Sequence, residues 1–169
     1  MAVRKIIFQE EEHLHYHLLA IHSVLTDYRL AFFLNKHLNI ELKRAFDDLD
    51  ISLQDGFYSF FQYEDEDNLL NWNLISNSSY TNVKNEIKES LLFKNTKVEL
   101  KKFKLISELS QVDFFLKIEY HTDQININQI IKSINEIPNI ISVYHLNLKN
   151  IKNKENLNFS KEIKIKKQK

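Results

Sequence analysis

The stretch from Val112 to Leu148 constrains the fold more than any other. In VDFFLKIEY, Val112, Phe114, Leu116, Ile118 and Tyr120 alternate with Asp113, Lys117 and Glu119, with Phe115 the exception. A period of two marks a half-buried strand. Ile127, Ile130, Ile131 and Ile134 then recur with the spacing of one helix face. Asn126 is the expected N-cap, with Gln129 three residues on in a capping-box-like pair. The β-branch of isoleucine makes it a mediocre helix former, so this helix depends on packing. Each buried isoleucine contributes roughly 1.5–3 kcal/mol before the entropy cost. Pro138 ends the helix near Ile137, and IISVYHLNL, rich in strand formers, follows. Strand, helix and strand with short joints form a βαβ unit, expected to be right-handed.

The rest of the chain extends this pattern. Ile6 to Glu12 reads as an edge strand or extended arm, and His13 to Val24 as a central strand covered on both faces. Thr26 or Asp27 caps a helix whose stripe is Leu30, Phe33, Leu34 and Leu38, with Asn39 as its stop. Residues 40–55 read as a connection with a short helical turn at Glu41–Asp47. Gly56 opens GFYSFFQYE, and the acidic turn Asp65–Asn68 leads into LLNWNLIS, which together predict a hairpin. Val83, Ile87 and Leu91 have helical spacing, and Lys97 to Ile106 reads as a charged strand. The order βαββ–insert–βαβ predicts a ferredoxin-like α+β fold, an antiparallel sheet with helices on one face. Residues 1–158 are expected to form one domain, and the basic stretch 159–169 a disordered tail.

Composition narrows the function classes. The net charge of the 169 residues is zero, so the chain as a whole is no obvious polyanion binder. The absence of cysteine removes disulfides, thiolate metal sites and a cysteine nucleophile. A single glycine rules out a phosphate-cradling glycine loop and leaves asparagine to take the turn positions glycine usually fills. No apolar run approaches the roughly 20 residues of a membrane span, and MAVRKIIFQEEE lacks the apolar core of a signal peptide, so a cytoplasmic location is expected.

The stretch Ile106-Ser107-Glu108, followed after three residues by Val112-Asp113-Phe114, resembles the signature of the bacterial IPExxxVDY family. LTDYRLAFFLNK, the acidic YEDED, the LIS-N of the hairpin, IPNIISVY and KNKENL fit the same pattern and order. The resemblance runs over most of the chain and departs from the signature at Ser107, where proline is expected, and at Phe114, where tyrosine is. It implies a compact bacterial domain, and with it no established activity, substrate or catalytic set.

Three groups of residues are candidates for function. His13, His15 and His17 share a strand face at about 6.8 Å spacing, so two of them can converge on a metal. Glu11, His121 or His145 would supply a further ligand; the competing reading is a polar face of neutral histidines. Phe57, Tyr58, Phe60 and Phe61, with Trp72 across the hairpin, are either an aromatic surface able to stack bases or core. Asp27, Tyr28, Arg29, Glu108 and Asp113 are the polar candidates for ligand or partner binding, although Asp27 also suits an N-cap and no carboxylate pair is evident. A non-catalytic binding or regulatory module, for a small ligand or a protein partner and working as a homodimer, is the expectation. Ligand-binding modules of the ACT type share the look of residues 134–144 by fold-level analogy. An RNA-associated protein using the aromatic face and the basic tail KEIKIKKQK is the first alternative, and a metal- or histidine-dependent enzyme the second. No cofactor is implied.

Overall fold

The computed structural model describes residues 15–45, 49–51, 56–85, 97–120, 125–147, 149, 151–152 and 154–157. In chain order the elements are β1 (His15–Ser23), α1 (Asp27–Leu38), β2 (Lys43–Arg44), β3 (Leu49–Ile51), β4 (Gly56–Tyr58), β5 (Phe60–Asp65), β6 (Leu70–Ser76), β7 (Ser78–Asn85), β8 (Lys97–Lys104), β9 (Phe114–Tyr120), α2 (Ile127–Asn135) and β10 (Ile140–His145). Short 3-10 turns occupy Ser107–Leu109 and Lys154–Leu157. The protein is a mixed α+β structure built on an antiparallel sheet in the order β10-β1-β9-β6-β5-β2. β3 pairs with β4, and β7 with β8, as separate two-stranded ribbons.

The strand–helix–strand of residues 112–148 does not pair its own two strands, as a simple βαβ unit would. β1 lies between β9 and β10 and is antiparallel to both. Its sequence explains why it takes this place: Leu18, Leu19, Ala20 and Ile21 are fully buried, apolar on both faces, as a central strand requires.

Both helices pack on one face. Leu30 and Leu34 of α1 and Ile134 of α2 meet Leu19, Ile21, Trp72, Leu74, Leu116 and Ile118. The other face is covered by irregular chain: Leu105, Ile106, Val112, Ile151 and Leu157 pack on Leu18, Ala20, Ile75 and Phe115. β9 is therefore buried on both sides, not half-buried as its alternation predicts, and Phe115 belongs to this second core. The polar positions of β9 are internal. Lys117 and Glu119, at 3% and 6% exposure, form an ion pair at 2.5 Å. The Lys117 ammonium also donates to the Leu157 carbonyl at 2.9 Å and lies 4.7 Å from the Tyr16 ring centre. Burial, and then the charge of Glu119, push the Tyr16 hydroxyl above its usual pKa.

Local signals explain most of the ends. Asn39 closes α1 at φ 53°, and Asn139, after Pro138, takes φ 70°, positions where glycine is usual. Asn126 caps α2 by accepting from Gln129 N–H at 3.2 Å. Thr26 holds the N-cap position of α1 without a side-chain cap bond, while the Asp27 carboxylate accepts from Tyr28 N–H at 2.8 Å. Two expectations are corrected. The helical turn expected at Glu41–Asp47 is replaced by β2, whose Lys43 and Arg44 pair with Gln62 and Phe61. Val83 lies in β7, paired with Glu99, and not in a helix; edge pairing overrides a spacing that three apolar residues define weakly. Ile87, Leu91, the Ile6–Glu12 arm, His13 and the tail 159–169 lie outside the described residues.

A clasp holds the end of the sheet where β6 passes into β7. Asn77, fully buried, donates through its amide to the carbonyls of Leu109 and Val112 at 2.8 and 2.9 Å and accepts from Ile106 N–H at 2.9 Å. Its backbone bonds Asp113 and Leu105 as well, at 2.8 and 3.0 Å. Asp113 accepts from Ser23 N–H at 3.0 Å, tying the end of β1 to the start of β9. Glu108 accepts from Lys152 N–H at 3.1 Å, and Asn156 donates to the Leu105 carbonyl at 2.9 Å, so the C-terminal segment is fastened to the same place.

Candidate functional site

The clasp fixes where β7 starts, and β7 forms one wall of a cleft. The cleft, of about 380 Å³ and broadly open, is lined by Thr26 and Asp27 at the start of α1, Arg44 of β2, Phe57, Ser59, Ser76, Ser78, Ser79, Tyr80 and Phe114. This volume falls within the range of small-molecule sites. Each wall has a physical cause. The pairing of β2 with β5 puts the Arg44 guanidinium 5.8 Å from the Phe61 ring centre. From there it reaches Asp27, with Nη1 to Oδ2 at 3.5 Å. The Asp27 side chain is about one-quarter exposed and that of Arg44 about half, so the pair presents an acceptor and a donor side by side to solvent. The packing of β4 against β7 sets Phe57 and Tyr80 on the cleft, 59% and 58% exposed.

Serines line the same cleft. Ser76 and Ser78 are occupied with each other, the Ser76 hydroxyl donating to the Ser78 carbonyl at 2.8 Å. The Ser79 hydroxyl is buried and has no hydrogen-bond partner. Beside the cleft the Lys102 ammonium lies 5.7 Å from the Tyr80 ring centre. Lys104 donates to the Val112 carbonyl at 3.2 Å. Burial and then the neighbouring Lys102 lower the Lys104 pKa, against the raising effect of Asp113. The lining thus offers two partly exposed aromatic side chains and, at Asp27 and Arg44, a paired acceptor and donor.

The residues singled out from sequence scatter across the molecule. Of the five polar candidates only Asp27 lines the cleft. Tyr28 and Arg29 are exposed on α1 beside it, and Glu108 and Asp113 are engaged in the clasp. The aromatic-surface reading is corrected at four of five positions: Tyr58 and Phe60 are in one core, Phe61 and Trp72 in the other, all at 5% exposure or less. The pleat aims them into the two cores, and only Phe57 faces solvent. Arg44, Ser59, Ser76, Ser78, Ser79 and Tyr80 went unread. The one available signal was the polar run SNSSY after an apolar strand, an opening of the chain at a sheet end.

The histidines meet at the opposite end of the sheet. His15 and His17 both stack on Tyr120, with ring centres 5.9 and 4.9 Å away. His17 Nδ1 is 3.1 Å from His145 Nε2. His15 does not join that contact, so the two histidines brought together come from different strands, not from alternate positions of one. Among the described residues no three histidine, aspartate or glutamate side chains are grouped to hold a metal ion. No described helix is long and apolar enough to cross a membrane.

Compared with protein-family models, with curated proteins and with solved structures, the chain matches none.

Proposed function

We propose that the protein is a non-catalytic binding module whose cleft takes a small polar ligand with a flat ring. The observation that carries this is the pair of exposed rings, Phe57 and Tyr80, on the same cleft as the Asp27–Arg44 pair. Aromatic faces at a cleft that also offers a donor and an acceptor are the usual furniture of small-molecule sites. The Asp27–Arg44 pair is neutral overall, which favours a neutral or zwitterionic ligand with a donor and an acceptor of its own. Native mass spectrometry of the protein taken gently from its own cells tests this. A discrete added mass that disappears in Phe57→Ala and Tyr80→Ala supports it; a clean apo-protein, with no retained metabolite, refutes tight binding.

The ferredoxin-like arrangement is part of the same reading. It is supported by the sub-order β10-β1-β9-β6 and by two helices on one face, with β2 and β5 added at an edge. Membership of the IPExxxVDY family is supported by the clasp, since Ile106, Val112 and Asp113 bond Asn77 there and Glu108 bonds Lys152. Read this way, the signature holds the fold and not a reaction centre. Ser107 opens a 3-10 turn after an extended Ile106, a position that accepts the signature proline. A homodimer through the β10 edge is supported by the exposure of Ile141 and Tyr144.

One observation favours a second reading, a single-stranded nucleic acid along the β7–β8 ribbon. β8 carries Lys97, Lys101, Lys102 and Lys104 against Glu99 in a chain of zero net charge, beside the exposed Tyr80. Affinity for a labelled single-stranded oligonucleotide would then fall steeply with salt and drop in Tyr80→Ala.

A further inference from the structure

The register of β1 with β10 sets Leu19 opposite His145, so His17, two residues along, faces His145 diagonally on the same side of the sheet. Tyr120, stacked on His17 at an interplanar angle of 23°, fixes the plane of that ring. His17 Nδ1 lies 3.1 Å from His145 Nε2. Two imidazole nitrogens bound to one ion at about 2.0–2.1 Å and a tetrahedral angle stand about 3.3 Å apart. We propose that His17 and His145 form a two-histidine site for an imidazole-preferring divalent ion, such as Cu²⁺, Ni²⁺ or Zn²⁺. Imidazole donors suit these ions, and Cu²⁺ binds tightest in the usual order.

Without metal, the two nitrogens share one proton between them; a bound ion replaces that proton and sits off the line joining them, with both rings turned toward it. The remaining coordination positions are open to water, because β10 is the edge strand and His145 is exposed. The site is thus one for an exchangeable ion that joins β10 to β1, and it is separate from the cleft at the far end of the sheet. The hydrogen-bonded partner of the other β1 histidine on this edge, His22, is the Tyr144 hydroxyl at 3.3 Å on the opposite face, which makes His22 the internal control.

The test is a titration of the full chain, free of any affinity tag, with Cu²⁺ and with Zn²⁺ by calorimetry, and electron paramagnetic resonance of the Cu²⁺ form. The expected result is one ion per chain with two nitrogen ligands, removable by chelator. His17→Ala and His145→Ala should each weaken binding at least about tenfold, as loss of one of two ligands demands, and His22→Ala should leave it unchanged. Both substituted positions are on the surface end of the sheet, and circular dichroism confirms that the variants fold. Saturable binding that is absent in the wild type, or that survives in the His17→Ala/His145→Ala double variant, overturns the site. Binding abolished only by His13→Ala does the same.

Discussion

Replacing Asn77 tests most directly whether the clasp is structural. Its side chain satisfies Ile106 N–H and the carbonyls of Leu109 and Val112, in a place with no exposure to solvent. In Asn77→Ala all three lose that partner. Val112 keeps the Lys104 ammonium as a donor at 3.2 Å and the Leu109 carbonyl keeps Val112 N–H at 3.0 Å, so the one uncompensated group is the Ile106 amide. At roughly 1–3 kcal/mol for the unsatisfied amide and about 0.5–1.5 kcal/mol for each bond lost at a carbonyl that keeps another donor, and allowing for partial relaxation, the variant should lose about 2–4 kcal/mol. That is a large part of a typical domain stability of about 5–15 kcal/mol. Asn77→Asp sharpens the test. It keeps an acceptor for Ile106 N–H but turns an oxygen toward two carbonyls. The folded state then prefers the protonated acid, so its pKa is raised above the unfolded value of about 3.9, and the deficit shrinks as pH falls. The single tryptophan, Trp72, is buried and reports urea unfolding by fluorescence. A midpoint for Asn77→Ala within about 1 kcal/mol of wild type at an unchanged slope would refute the reasoning.

Four further outcomes are expected. Lys117→Met leaves Glu119 buried and unpaired, at a cost of about 3–5 kcal/mol, and the double change with Glu119→Leu should recover most of it in denaturant unfolding. Leu69 sits at φ 55° and is 55% exposed, so Leu69→Gly should relieve about 1 kcal/mol of backbone strain and raise the melting temperature. Ser107→Pro, at the first position of its turn, should be neutral or stabilising by up to about 1 kcal/mol, and a loss beyond about 2 kcal/mol would count against the turn described. Burial raises the hydroxyl pKa of Tyr16 and Tyr58, so the folded state keeps protons that the unfolded chain releases near pH 10. Stability is therefore full below about pH 10 and falls as pH rises through the folded values; urea midpoints between pH 9 and pH 11 should show this, with a smaller fall in Tyr16→Phe.

Segments with strong local periodicity were legible. The stripe of α2, its Asn126 cap, the stop at Asn39 and the β5–β6 hairpin around Asp65–Asn68 all follow from spacing and turn chemistry. Short or charged segments were not. β2 has two residues, and β7 carries the sequence SSYTNVKN, which lacks an apolar face; both exist because a neighbouring strand offers hydrogen bonds. The cleft was legible only at Asp27 and Phe57, since Arg44, Ser76 and Tyr80 belong to strands that meet through long-range pairing. Alternation along GFYSFFQYE shows that aromatic side chains point to opposite faces, but whether a face is wet depends on what covers it.

Sequence by itself determined the elements whose hydrogen bonds and hydrophobic stripe are local: the two helices, their asparagine ends and the alternating strand at Phe114–Tyr120. Only the tertiary structure decided that β1 enters between β9 and β10, that Lys117 and Glu119 are buried as a pair, and that His17 meets His145 and not His15. The physical reason is common to all three. Helix periodicity records contacts a few residues apart, whereas strand order and the covering of a sheet face depend on partners a hundred residues away in the chain, and no local pattern encodes those.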